Sequence, residues 1–260
     1  MMNKQYFFIN GIPRAGNTLL ASLLNQNPDI RATANSFTLN LMHQIASKKN
    51  DDIFTHFPDH QSIDDVIENI IPSYYKNWNC KYIIDRSHVG LEENLELLKK
   101  YFKQPIKIIV LVRDIHEVLA SFLKVFAELN APKDKACDSL MAEDGMVGIS
   151  LKSIENLSKP ENSHMTHFVD YKDLINKPST TLKGIYKFLE IPEYDHRFTN
   201  LEQFNVNGIE YNDNYIEMPK GIKPIDLHTI RTDNLSFTKH ELLPESIIGK
   251  YKEDKWQRLE

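Results

Sequence analysis

The chain has 260 residues, 41% of them hydrophobic and 26% charged, which suits a globular protein with one large α/β domain or two small ones. A net charge of -5 argues against bulk binding to nucleic acid or an anionic membrane, while leaving room for a local basic pocket. Two widely separated cysteines, Cys80 and Cys137, argue against a disulfide framework, and the first residues lack a cationic region leading into a long apolar core. The expected setting is the reducing cytoplasm, with no membrane span.

In chain order, Lys4–Asn10 reads as a buried strand, followed by a turn bracketed by Gly11 and Gly16. Thr18–Asn27 is predicted as a helix, with Leu19, Leu20, Leu23 and Leu24 on one face and Pro28 ending it. From about Ile30 to Asn79 the pattern is mostly helical, interrupted by a polar stretch near Lys48–Asp52. Lys81–Asp85 is a second strand and Leu91–Phe102 a helix. Ile106–Val112, six apolar residues and one lysine, has the pattern of a strand covered on both faces.

Asp114 resembles a helix N-cap, with Glu117 completing a capping box. Val118, Leu119, Phe122 and Phe126 give that helix its core stripe. Asn130–Asp144 reads as a mobile loop, Met146–Leu157 as a helix, Met165–Asp170 as a fourth strand and Ser179–Leu189 as a helix stopped by Pro192. Asn205–Tyr215 reads as loop. Strands alternating with helices imply an α/β fold, a central parallel sheet flanked by helices. No linker is evident, so residues 1–260 are expected to form a single domain.

The segment Gly11-Ile12-Pro13-Arg14-Ala15-Gly16-Asn17-Thr18 carries the strongest functional signal. A strand, a glycine-bracketed turn and a helix N-terminus point successive backbone N–H groups at one place, which suits a phosphate. The glycines have the spacing of the ATP-cradling loop G-x-x-x-x-G-K-[ST], yet Asn17 fills the lysine position and the cation is Arg14, inside the turn. Ligands of such sheets bind at the carboxyl ends of the strands. The second strand there delivers Asp85-Arg86-Ser87-His88 and the third delivers Arg113-Asp114. Several arginines converging on one crevice suit a ligand with several anionic groups.

These residues resemble the 3′-phosphoadenosine 5′-phosphosulfate (PAPS)-dependent sulfotransferases. The loop Gly11–Leu20 is similar to their 5′-phosphosulfate loop, commonly P-[KR]-S-G-T-T, and Ile108–Asp114 through Ser121 to their 3′-phosphate motif. Ile84-Asp85-Arg86-Ser87-His88 looks like the segment holding a lysine and the catalytic histidine, with Arg86 at the lysine. Tyr171-Lys172-Asp173-Leu174, with Pro178 and Phe188-Leu189, resembles the family's Y-E-D-L…P…F-L segment.

The resemblance implies a P-loop nucleotide-kinase-like sulfotransferase fold and PAPS as co-substrate, leaving as 3′-phosphoadenosine 5′-phosphate (PAP), with no metal. It places Pro13, Arg14, Ala15, Gly16, Asn17, Thr18 and Leu19 around the 5′-phosphosulfate, Arg113 and Ser121 on the 3′-phosphate, and Tyr171 near adenine. His88 is then the general base, because Arg31–Ser36, where the tyrosylprotein enzymes carry a glutamate base, holds no acid. Arg14 and Arg86 would stabilise charge on the bridging oxygen. Ala15 and Asn17 depart from the family's serine and threonine.

Plainer readings compete at each position. Arg113 suits a strand-closing surface arginine, Ser121 a small residue on a packed helix face, and Tyr171 the core. His56-Phe57-Pro58-Asp59-His60 has metal-like residue types, but Pro58 breaks the helical spacing that would align them. The rival functions are an ATP/Mg-dependent P-loop kinase, with Asp85 holding the metal, and a non-catalytic nucleotide-binding protein on the same fold. The acceptor is expected to be a small-molecule or lipid-like hydroxyl, with a pocket drawn from Phe37–His43, Tyr74–Trp78, Phe126–Met146 and the loop after Phe204. Arg231 and Lys223 are candidates to close over the donor. Acceptor identity and oligomeric state are not legible in the sequence.

Overall fold

A computed structural model describes residues 4–33, 35–125, 132–199, 201, 205–210 and 242–251. Arg231, Lys223 and part of the expected acceptor segments lie outside the described residues. Five strands form one sheet: β1 (Gln5–Gly11), β2 (Ile30–Ala32), β3 (Tyr82–Arg86), β4 (Ile108–Val112) and β5 (Thr166–Asp170). Their order is β2-β3-β1-β4-β5 and every pairing is parallel. All five residues of β4 are buried, as are six of the seven in β1. Covering by helices on both faces explains why these strands read as continuous apolar runs.

The helices are α1 (Asn17–Leu24), α2 (Thr38–Ser47), α3 (Asp52–His56), α4 (His60–Tyr74), α5 (Glu92–Tyr101), α6 (Ile115–Val125), α7 (Lys133–Met141), α8 (Met146–Leu157), α9 (Tyr171–Asn176) and α10 (Pro178–Leu189), with a further helix at Glu245–Lys250. The leucines predicted for one face of α1 do enter the core, together with Phe8, Ile83, Ile109 and Leu119. Full burial of each such side chain contributes about 1.5–3 kcal/mol before the entropy of ordering it. No described helix is long and apolar enough to cross a membrane.

The structure departs from the sequence reading in three places and adds to it in a fourth. Residues 30–32 form an edge strand, too short to show a period, where helix was expected. Lys133–Met141 is a helix rather than a mobile loop, and only Cys137 and Leu140 anchor it, so its apolar signal is sparse. Tyr171–Asn176, to which the sequence reading gave no element, is a short helix started by Asp170, whose carboxylate accepts the Lys172 N–H at 2.7 Å. Within the expected loop after residue 204, β6 (Asn205–Val206) and β7 (Ile209–Glu210) pair antiparallel across Asn207-Gly208, both at positive φ (55° and 76°). That Asn-Gly pair is the dipeptide a tight hairpin turn favours.

Candidate active site

Sheet register brings the strand ends to one edge. Ile9 lies beside Arg86, Gly11 beside Leu111, and Val112 beside Asp170. The chain leaves β1 for one side of the sheet and later crosses to the other, so the loop after β1 occupies the switch point where α/β sheets bind ligands.

That loop is held in an unusual backbone shape. Arg14 has φ 69° and Gly16 φ 87°, and Gly16 caps α1 without any side-chain hydrogen bond. The first-turn N–H groups of α1 are therefore left for an anion, where the helix dipole also favours negative charge. Ala15 is fully buried. Asn17 is also buried, and its Nδ2 donates to the Ile12 carbonyl at 2.8 Å, bracing the turn from inside. A side chain on Gly11 would collide with the Asn17 amide, so that glycine makes room for the brace. Pro13 and Thr18 are half-buried at the loop's rim, and Leu19 is in the core.

The residues after β4 and β5 close on the same loop. Arg14 Nε donates to Ser121 Oγ at 3.0 Å, and Arg113 Nη1 donates to the Arg14 carbonyl at 2.8 Å. The Arg113 guanidinium lies 4.0 Å from the centre of the Tyr171 ring, a cation–π contact, and its Nε donates to Glu117 Oε2 at 3.2 Å. A Cβ on Gly16 would stand 2.9 Å from Tyr171 Cδ2, so Tyr171 packs against the loop as well. Asp114 caps α6 by accepting the Glu117 N–H at 3.1 Å. The Glu117 carboxylate, expected to complete a capping box, sits instead on Arg113 and near Lys172.

The end of β3 forms a second group. The Arg86 N–H donates to Thr33 Oγ1 at 2.8 Å and its Nη1 to Asn35 Oδ1 at 3.1 Å. His88 is exposed at the crevice mouth, yet the surrounding protein still pushes its pKa below the ordinary histidine value, and Arg86 adds to the effect. Asn10 at the end of β1 accepts from Ser153 Oγ at 2.8 Å and from the Gly90 N–H at 3.3 Å, which ties the turn after His88 to the central strand. Asp85 is completely buried. Its Oδ2 accepts from Ser36 Oγ at 2.6 Å, Thr38 Oγ1 at 2.8 Å and the Tyr75 hydroxyl at 2.6 Å. Burial raises the Asp85 pKa despite these donors. An oxygen filled by three hydroxyls is a structural anchor, unlike the open metal-holding aspartate that a P-loop kinase needs. Tyr75, expected near an acceptor pocket, is instead buried on Asp85 with Trp78 packed against it.

A family profile for the sulfotransferase domain matches residues 4–254. The chain belongs to the sulfotransferase-domain family. Among solved structures, it is similar to the sulfotransferase domain from the curacin biosynthetic pathway, at 19% identity over 99% of this chain and 96% of that one, with a TM-score of 0.54. The sulfotransferase domain of the Synechococcus PCC 7002 olefin synthase matches at 17% identity over 98% and 97%, TM-score 0.55. A sulfotransferase from Alicyclobacillus acidocaldarius matches at 10% identity over 74% and 83%, TM-score 0.52. No curated protein sequence matches.

Within this sulfotransferase domain the predicted Arg14, Gly16, Arg113, Ser121 and Tyr171 meet in one cluster, while Arg86 and His88 stand together at the neighbouring strand end. Sequence reasoning missed Glu117 as a partner of Arg113, although the i,i+4 spacing of opposite charges was a usable signal. It also missed Asn10, Thr33 and Asn35, whose roles depend on contacts between distant strands.

Proposed function

We propose that this sulfotransferase takes PAPS as donor and moves its sulfuryl group to an acceptor hydroxyl, with His88 as general base. The observation that carries the reading is the convergence of Arg14, Arg113, Ser121 and Tyr171 on an uncapped helix N-terminus. The residues fit a nucleotide carrying two separate anionic groups. One group would lie against the N–H groups from Gly16 to Leu19, with Thr18 at the rim, the Ala15 N–H being spent on the Ile12 carbonyl at 3.1 Å. The other would lie against Arg113 and Ser121, whose hydroxyl accepts from Arg14 and retains its own proton to donate. Tyr171 supplies the aromatic surface beside them. Asn17 would then contribute its backbone rather than its side chain, since its amide is engaged with Ile12, while the buried Ala15 closes the turn through its own N–H on the same carbonyl.

When bound, the donor supplies the sulfuryl group and leaves as PAP. The chain's own residues do the rest. His88, held largely neutral by its lowered pKa, accepts the acceptor's hydroxyl proton at an imidazole nitrogen. Arg86 stands two residues away to stabilise negative charge, and Arg14 does the same from the loop. Positioning by the rigid strand ends carries the remainder of the rate enhancement. The acceptor is read as a small-molecule or lipid-like hydroxyl entering past the half-exposed Phe37, two residues along the chain from Asn35, which accepts from Arg86. The chain is read as one domain acting in the cytoplasm.

Thermal stabilisation tests the donor. PAP without metal at 100 times its Kd should add about 2.7 kcal/mol of stability. Stabilisation only by ATP with Mg²⁺ would overturn the reading in favour of a kinase. PAP binding without sulfuryl transfer to any hydroxyl would favour a non-catalytic nucleotide-binding protein.

A further inference from the structure

We infer that Glu117 is the positioning residue of this site, and that its carboxylate fixes the in-plane orientation from which the Arg113 guanidinium reads the 3′-phosphate. The inference rests on the donor reading above and extends it to a residue that neither touches the nucleotide nor belongs to the loop.

Glu117 is 2% exposed and Arg113 6% exposed. A carboxylate that deep in a protein is tolerated only with cationic or hydrogen-bonding partners. Here Oε2 accepts from Arg113 Nε at 3.2 Å and Oε1 lies 3.7 Å from Lys172 Nζ. Lys172 is about half exposed, so water competes for it and the pair is weak. Arg113 is thus the partner that matters.

Three contacts hold the guanidinium. The Tyr171 ring, 4.0 Å away, fixes its plane but leaves rotation within that plane open. The Arg14 carbonyl, 2.8 Å from Nη1, pins one corner, and Glu117 on Nε pins the opposite edge. With both pinned, Nη2 is the donor left over, and it makes no hydrogen bond among the described residues. Withdrawing the Glu117 carboxylate frees the in-plane rotation, which misaligns Nη2, while the Arg14 carbonyl still holds Nη1 and keeps the phosphate loop in place.

A first-turn acid on α6 has a plainer role in stabilising its helix, so the test must separate the two. PAP and adenosine 5′-monophosphate, which lacks the 3′-phosphate, are titrated calorimetrically into the wild-type chain and into Glu117→Ala, Glu117→Asp and Glu117→Gln. Glu117→Ala should raise the Kd for PAP about ten-fold, while that for the monophosphate changes less than about two-fold. Glu117→Asp keeps the charge and the helix position but falls short of Nε, so it should lose several-fold in PAP affinity alone even if the alanine variant does not fold. Glu117→Gln keeps an acceptor within reach and should restore PAP affinity to within about three-fold of wild type. Retention of full PAP preference by Glu117→Asp would overturn the inference, as would equal weakening of both nucleotides. A wild-type chain with no preference for PAP would instead bring down the donor reading, and this inference with it.

Discussion

Arg14 Nε donates to Ser121 Oγ across 107 residues of sequence, and the same Arg14 receives Arg113 on its carbonyl. The phosphate loop is therefore latched to β4 and α6 at two atoms of one residue. This explains how a non-glycine residue keeps φ 69°, a conformation that costs roughly 1–2 kcal/mol. Ser121→Ala removes the side-chain latch and the hydroxyl proton offered to the nucleotide. PAP affinity should fall roughly ten-fold, about 1.4 kcal/mol, as read by calorimetry. Unchanged affinity would mean that Ser121 is only a packing residue.

Gly16 meets two constraints together, φ 87° and a Tyr171 ring atom that would lie 2.9 Å from any Cβ. Gly16→Ala should destabilise the fold by roughly 1–2 kcal/mol from the backbone conformation alone. It should also abolish stabilisation by PAP, because the cap of α1 and the Tyr171 contact shift together. Urea unfolding with and without PAP checks both halves.

His88 carries the catalytic prediction. Replacing it with alanine should cost roughly 10²-fold or more in turnover while leaving the Kd for PAP unchanged. Its pKa is lowered by its desolvating surroundings and then by Arg86, so the neutral base persists to lower pH than in an ordinary histidine. The acid limb of the kcat/KM profile should fall below pH of about 6.5. Arg86→Met removes one of the two causes and should move that limb upward, whatever it does to the absolute rate.

Tyr75 is tested through stability. Its hydroxyl is one of three on Asp85 Oδ2, inside the core. Tyr75→Phe should cost about 1–3 kcal/mol, because the carboxylate keeps its burial and loses a donor. The folded pKa of Asp85 is already raised by burial, so its favourable contribution is present at low pH and is lost as pH rises through that folded value. Losing the donor raises it further. The gap between wild type and Tyr75→Phe should widen with rising pH in denaturant titrations, and a gap that narrows would contradict this account.

Much of the site was legible because it is written in local order. Arg86 and His88 sit at or just after β3, Arg113 follows β4 directly, and Tyr171 follows β5 directly, so reading each strand's end sufficed to find them. Asn17 was legible as a position but not as a direction. In the sequence it replaces a loop lysine, and in the fold its amide turns inward to Ile12. Glu117 was read as half of a capping box because its nearest sequence partner is Asp114, whereas the guanidinium at i−4 offered the stronger interaction. The short β2 and the sparsely anchored α7 escaped because neither buries enough apolar residues to show a period.

The sequence by itself determined the alternation of buried strands and amphipathic helices, the glycine-bracketed loop, and the placing of arginines at successive strand ends. These follow from residue spacing, which controls backbone conformation over a few residues. Only the tertiary structure decided which of those ends are neighbours. The order β2-β3-β1-β4-β5 sets β3 and β4 on either side of β1. That order sets Ser121 against Arg14 and Tyr171 against Arg113, while Asp85 stays sealed beneath its hydroxyls. Side-chain partners so far apart in the chain are chosen by sheet register and packing, which no local spacing encodes.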